Sequence, residues 1–140
     1  MCSSDLVLGD SGYIDRMNVI TDVLTKQIYD IPYDGRSMPA ECENGDVKED
    51  RIWWVQAESV NGFVNAWQKD KSREDYKQAA LNVWKFIEDF VIDKREGSEW
   101  YWEVDKDGRP KEGDPIVEPW KCPYHNGRMC LELIRRGIVF

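Results

Sequence analysis

The sequence predicts an all-α fold of helical hairpins with short β-strands in the loops, on three observations. Apolar residues recur at helical spacing in four separate stretches. The stretches between them are long and carry the proline, glycine and Asn-Gly punctuation of loops. Alternating runs suited to strands are few and short. Helices separated by long loops stack as an array of hairpins.

The first helix is expected over residues 14–30, where Ile14, Met17, Ile20, Leu24 and Ile28 share one face. Pro32 and Gly35 end it, and residues 36–50 form a polar loop whose Asn44-Gly45 pair makes a tight turn joining two short strands. The second helix covers residues 52–68, with Trp53, Val60, Phe63, Val64 and Trp67 apolar. Gln56, Glu58 and Asn61 lie among those apolar positions, and a carboxylate there needs a partner or a ligand if it is buried. Ser72 and Asp75 suggest a capping box opening the third helix at residues 73–92. Tyr76, Ala79, Ala80, Val83, Phe86, Ile87 and Phe90 are its core face. Residues 99–104 alternate like a strand, and Asp105 to Gly108 make a turn. A loop with Pro110, Pro115 and Pro119 leads to the last helix, residues 124–136, closed by Gly137 in the C′ position.

Length and charge narrow the function classes. A chain of 140 residues is one domain's worth. Its net charge of −8 disfavours nucleic acid and anionic membrane surfaces, which call for basic patches, while a neutral hydroxyl-rich ligand suits it. No apolar run is long enough for a bilayer. Cys2, Cys42, Cys122 and Cys130 form no CxxC pair, so buried reduced thiols are expected rather than a disulfide framework or structural zinc. Reduced thiols in turn predict a cytoplasmic protein.

Two features point to chemistry. His125 is the only histidine, and histidine is the ordinary proton carrier at neutral pH. By residue type alone, a lone histidine at a helix start reads as packing or capping. The second feature is seven tryptophans, whose flat faces pack against sugar C–H groups and whose N–H groups bond hydroxyls. Trp67 and Trp84 fall at core spacing; Trp53, Trp54, Trp100, Trp102 and Trp120 lie near loops and helix starts and stay open between core and site.

Three strings carry a more specific signal: Trp53-Trp54-Val55-Gln56-Ala57-Glu58, Glu99-Trp100-Tyr101-Trp102, and Trp120-Lys121-Cys122-Pro123-Tyr124-His125-Asn126-Gly127-Arg128-Met129-Cys130 with Leu131-Glu132-Leu133 following. They resemble the C-terminal part of the cellobiose 2-epimerases, within the N-acylglucosamine 2-epimerase superfamily, from about residue 7 to the end. The resemblance implies an (α/α)6 barrel of which this chain is the C-terminal third. It implies reversible epimerisation at C2 of the reducing-end glucose of cellobiose-type disaccharides, with no metal or nucleotide cofactor. By the same resemblance His125 is one of two proton-exchanging histidines, Trp54, Glu58 and Trp120 line the sugar subsites, and Arg128 reaches the site.

The departures from the family pattern are as specific. The family's other catalytic histidine, in an earlier HGIEAS-like segment, has no counterpart here, nor has its ring-contacting arginine. Four helices also cannot close a twelve-helix barrel. Residues 7–140 therefore read as a partial catalytic domain, and Met1 to Leu6 as a non-native leader. The parent enzyme is expected to be a cytoplasmic monomer acting on a small disaccharide, and the isolated segment to be inactive and prone to self-association. Two other readings of the residues remain: an (α/α)6 glycoside hydrolase or lyase with Glu58 as general acid, for which a second carboxylate is normally required, and a non-catalytic oligosaccharide-binding module.

Overall fold

The computed structural model describes residues 10–140. The leader expected at Met1 to Leu6, and Cys2 with it, lie outside the described residues. Helix α1 runs Ser11–Asp30 and starts a turn earlier than its apolar stripe, because the Asp10 side chain accepts the Tyr13 N–H at 3.0 Å and caps it. Strands β1 (Glu41–Glu43) and β2 (Asp46–Lys48) pair antiparallel around Asn44 and Gly45. Both turn residues take positive φ, 51° and 89°, as a tight hairpin turn requires.

Strand β3 (Arg51–Ile52) leads directly into helix α2 (Trp53–Lys69). The polar loop ahead of it is pinned by two buried groups. Gln56 is fully buried and uses both ends of its amide on one residue, accepting the Met38 N–H at 2.9 Å and donating to the Met38 carbonyl at 2.7 Å. The buried Arg51 guanidinium donates to Ser37 Oγ and to Asp34 Oδ2, both at 2.7 Å. Partial burial pushes the Asp34 carboxyl up, but the Ser37 N–H and Arg51 outweigh it and leave it below its ordinary value.

Helix α3 (Glu74–Phe86) returns antiparallel after a four-residue connection, making a hairpin with α2, and widens into a π-helical turn over Ile87–Val91. The expected core face of α3 is buried from Tyr76 to Ile87, with Phe90 at its edge. The expected capping box does not form. Asp70 takes the Ser72 hydroxyl at 2.7 Å, and Asp75 is held by Arg73, also at 2.7 Å, so neither caps α3.

The strand expected over residues 99–104 shrinks to β4 (Glu103–Val104), paired with β3, plus one bridge between Trp100 and Ile92. Its other groups serve neighbours instead: the Trp102 carbonyl accepts the Trp53 N–H at 3.1 Å and the Tyr101 N–H donates to Val91 at 2.7 Å. The turn from Asp105 closes at Gly108, where φ is +89° and an added Cβ would run into the Phe90 ring. Gly108→Ala is expected to destabilise the protein by about 2–5 kcal/mol, from left-handed backbone strain plus overpacking. A denaturant midpoint unchanged from wild type would refute that.

Helix α4 (Tyr124–Arg135) packs along α2 through Met129 and Leu133 and ends as expected at Gly137. There the Gly137 N–H reaches Ile134 at 3.0 Å and the Ile138 N–H reaches Leu133 at 2.9 Å, the paired bonds of a Schellman cap. The expectation of buried thiols fails: Cys42, Cys122 and Cys130 are all exposed, on a hairpin, a loop and the outer face of α4. Trp67 and Trp84 are only half-buried, at the rim of the core; Lys71 and Lys77 lie over the Trp67 ring.

Candidate active site

The long loops at residues 31–52 and 92–123 converge where α2 and α4 begin, and this end of the molecule gathers the expected site residues. Glu58 lies on the second turn of α2 and His125 on the first turn of α4. His125 Nδ1 is 2.8 Å from Glu58 Oε1. A carboxylate oxygen can only accept, so the proton in this bond sits on Nδ1, and Nε2 is the ring nitrogen that Glu58 leaves free. The other Glu58 oxygen takes Arg128, one turn further along α4. Glu58 thus joins α2 to α4 through a residue 67 positions further along the sequence.

Aromatic rings surround the imidazole. Trp53 and Tyr124 meet it edge-on at 5.6 and 5.0 Å between centroids, and Trp54 lies tilted against it at 5.7 Å. The His125 side chain keeps 33% of its surface exposed, enough for a ligand to reach it. Among the open tryptophans, Trp53 and Trp100 are core, whereas Trp54 stays 41% exposed beside the histidine. Trp120 is 82% exposed on the loop before α4, and no aromatic pair among the described residues includes it. The structure therefore brings together His125, Glu58, Arg128 and Trp54, and leaves Trp120 projecting from the adjacent loop.

Two grooves share Glu58. One of about 250 Å³ is lined by Trp54, Val55, Met38 and Phe63, and a larger one of about 980 Å³ continues past Arg128 with Asn61, Asn65, Gln68 and Glu132. Ile28 of α1 lines both grooves and Leu24 the larger one, so each combines apolar side chains with polar groups of α2.

Beneath α4 lies a polar cluster that spacing alone does not reveal. Asn126 is buried and donates from Nδ2 to Glu99 Oε2 at 2.7 Å. Lys121 is buried with its ammonium donating to the Ile116 carbonyl at 2.8 Å. Burial lowers that ammonium below its usual value, with Glu99 and Asp93 opposing. Asp93 is itself buried; burial pushes its carboxyl up, and bonds from Arg95 and Ser98 more than reverse this, holding it far below the ordinary range.

The N-acylglucosamine 2-epimerase (GlcNAc 2-epimerase) profile matches residues 9–126, most of the chain. The chain belongs to this family. Its similar relatives include a cellobiose 2-epimerase from Eubacterium cellulosolvens, 47% identical over 94% of this chain and 32% of that protein. A cellobiose 2-epimerase from Ruminococcus albus is 42% identical over 94% of this chain and 34% of its own length. Among solved structures, a sugar epimerase from a ruminal bacterium superposes with a TM-score of 0.83 at 43% identity, covering 96% of this chain and 34% of that one. The chain thus spans about a third of the length of the curated relatives it matches. The expected fold class stands: these helical hairpins, with short strands in their loops, correspond to a third of an (α/α)6-barrel epimerase.

Proposed function

We propose that the whole protein carrying this segment is a carbohydrate epimerase that inverts C2 of the reducing-end glucose in cellobiose-type disaccharides. The observation that carries this reading is the bond from His125 Nδ1 to Glu58, which presents Nε2 at an exposed face between Trp54 and Tyr124. The substrate reacts in its open form, whose C1 carbonyl acidifies the C2 proton. His125 Nε2 takes that proton, the C–H electron pair passes toward C1, and the carbonyl oxygen becomes part of an enediolate. A proton returned to the opposite face of C2 restores the carbonyl and gives the epimer, with no net change in atoms or electrons. One proton carrier on each face suits a reversible reaction. As His125 is the only histidine here, the second carrier and the family's ring-contacting arginine belong to the remainder of the barrel.

Glu58 holds the imidazole in the working tautomer and Arg128 holds Glu58. Trp54 supplies a face for the sugar while the linear form turns between the two carriers. Trp120 stacks on the sugar from the neighbouring loop. Trp120→Ala is expected to weaken disaccharide binding by about 1–3 kcal/mol, as loss of an aromatic stacking face does elsewhere. Unchanged affinity by calorimetry would remove Trp120 from the subsite.

The hydrolase reading is disfavoured because Glu58 bonds His125 and Arg128 through its two oxygens, an arrangement that orients an imidazole rather than offering an acid to a glycosidic oxygen. Product analysis with cellobiose tests all three readings. Glucosyl-mannose formed without added metal is the expected result; free glucose would establish a hydrolase, and binding without conversion a sugar-binding module. Loss of activity in chelator that zinc restores would overturn the cofactor-free mechanism.

A further inference from the structure

We propose that Glu99 is a positioning residue that, through Asn126, fixes the start of α4 and so the orientation of His125. The proposal rests on the reading of His125 as a proton carrier, but the geometry behind it is independent. Helix α4 has no side-chain cap at Pro123 and no acidic residue in its first turn, so the positive end of its dipole meets no carboxylate of its own element. Asn126 is the buried residue of that turn, and its side-chain amide donates to Glu99 Oε2 at 2.7 Å. A carboxylate from the loop after α3 thereby ties down a side chain of this turn and brings negative charge near the helix start.

His125 precedes Asn126 directly in the chain. Any roll of this turn that releases Asn126 also swings the imidazole away from Glu58. The imidazole is thus held from two sides, by Glu58 on α2 at Nδ1 and by Glu99 on the loop through the backbone. The loop carrying Glu99 is itself rigidly held: Asp93 takes the Ser98 hydroxyl at 2.5 Å and the Arg95 side chain at 2.8 Å, and its N–H donates to the Glu99 carbonyl at 3.1 Å. A rigid support of this kind is what a proton carrier needs, since small displacements of a reacting group cost large factors in rate.

Two measurements test this. In the whole protein, Glu99→Ala is expected to lower kcat for epimerisation about tenfold with KM within about twofold, and Glu99→Gln, which can still accept the Asn126 amide, to recover most of the loss. In this chain carrying Leu131→Lys and Ile134→Glu to keep its exposed flank from associating, His125 is the only histidine and carbethoxylation by diethyl pyrocarbonate reads the imidazole by itself. Glu99→Ala and Glu58→Gln should each change its rate several-fold, and the double variant should match the larger single effect, because both act on one orientation. Where Glu99→Ala fails to fold, Glu99→Asp, which withdraws the carboxylate by one methylene, replaces it with the same expectation. Additive effects, or an unchanged rate and unchanged kcat, would overturn the inference. A non-additive change in the labelling rate without any epimerisation by the whole protein would leave Glu99 as the anchor and remove the epimerase reading instead.

Discussion

His125→Asn in the whole protein is expected to abolish epimerisation, with kcat falling by about 10²–10⁴-fold while disaccharide binding stays close to wild type. Asparagine retains a side-chain amide that can donate toward Glu58 from nearly the position of Nδ1, so the Glu58 and Arg128 arrangement has a reason to survive. What asparagine lacks is a titratable nitrogen in place of Nε2. The substitution therefore separates holding the sugar from moving its proton. Turnover by single-product assay and affinity by calorimetry give the two halves of the comparison. Residual activity above about a tenth of wild type would take His125 out of the chemistry.

Much of this site was legible in the sequence, and the limits of that legibility have physical causes. The strings around Trp53 and Trp120 pointed to Glu58 and His125, and Glu58 stood out as a carboxylate which, with Gln56 and Asn61, lies among apolar positions. Their meeting across 67 residues could not be read from spacing, because it depends on how α2 and α4 pack. The Glu99–Asn126 bond was hidden for the same reason. Glu99 sits in a segment that alternates like a strand, and only the tertiary contact reveals the carboxylate as an anchor. The buried Arg51, paired with Asp34, lies in a stretch that reads as an ordinary polar loop, since charge patterns do not report burial.

Periodicity identified every helix among the described residues but not the surroundings of each face. The stripe on α3 is core because α2 covers it, whereas the stripe of α1 has no fully buried residue. Cysteine usage misled for a related reason: cysteine is usually buried, but Cys122 and Cys130 fall on faces that none of the described residues covers. Local capping was equally misread at Ser72, whose hydroxyl is drawn to Asp70 rather than to the helix it precedes.

The uncovered faces lead to the second large effect, the behaviour of this chain alone. Ile20, Val23, Leu24 and Ile28 line an exposed side of α1, and on α4 Leu131 and Ile134 remain 69% and 74% exposed. Each hairpin of an (α/α)6 barrel packs between two neighbours, and a third of the barrel presents two such flanks without them. Contiguous apolar surface of this kind drives association. The core that remains offers little margin against it, since complete domains hold only about 5–15 kcal/mol. The isolated 140-residue chain is therefore expected to sediment as oligomers or aggregates and to show no turnover of cellobiose, for want of the second proton carrier. Replacing Leu131 and Ile134 with Lys and Glu should shift it toward monomer without unfolding it, because neither side chain contributes to the buried core. A wild-type monomer in sedimentation velocity, melting cooperatively, would mean that the exposed flanks are tolerated and that this third folds by itself. Epimerisation by that monomer would go further and remove the need for two histidines.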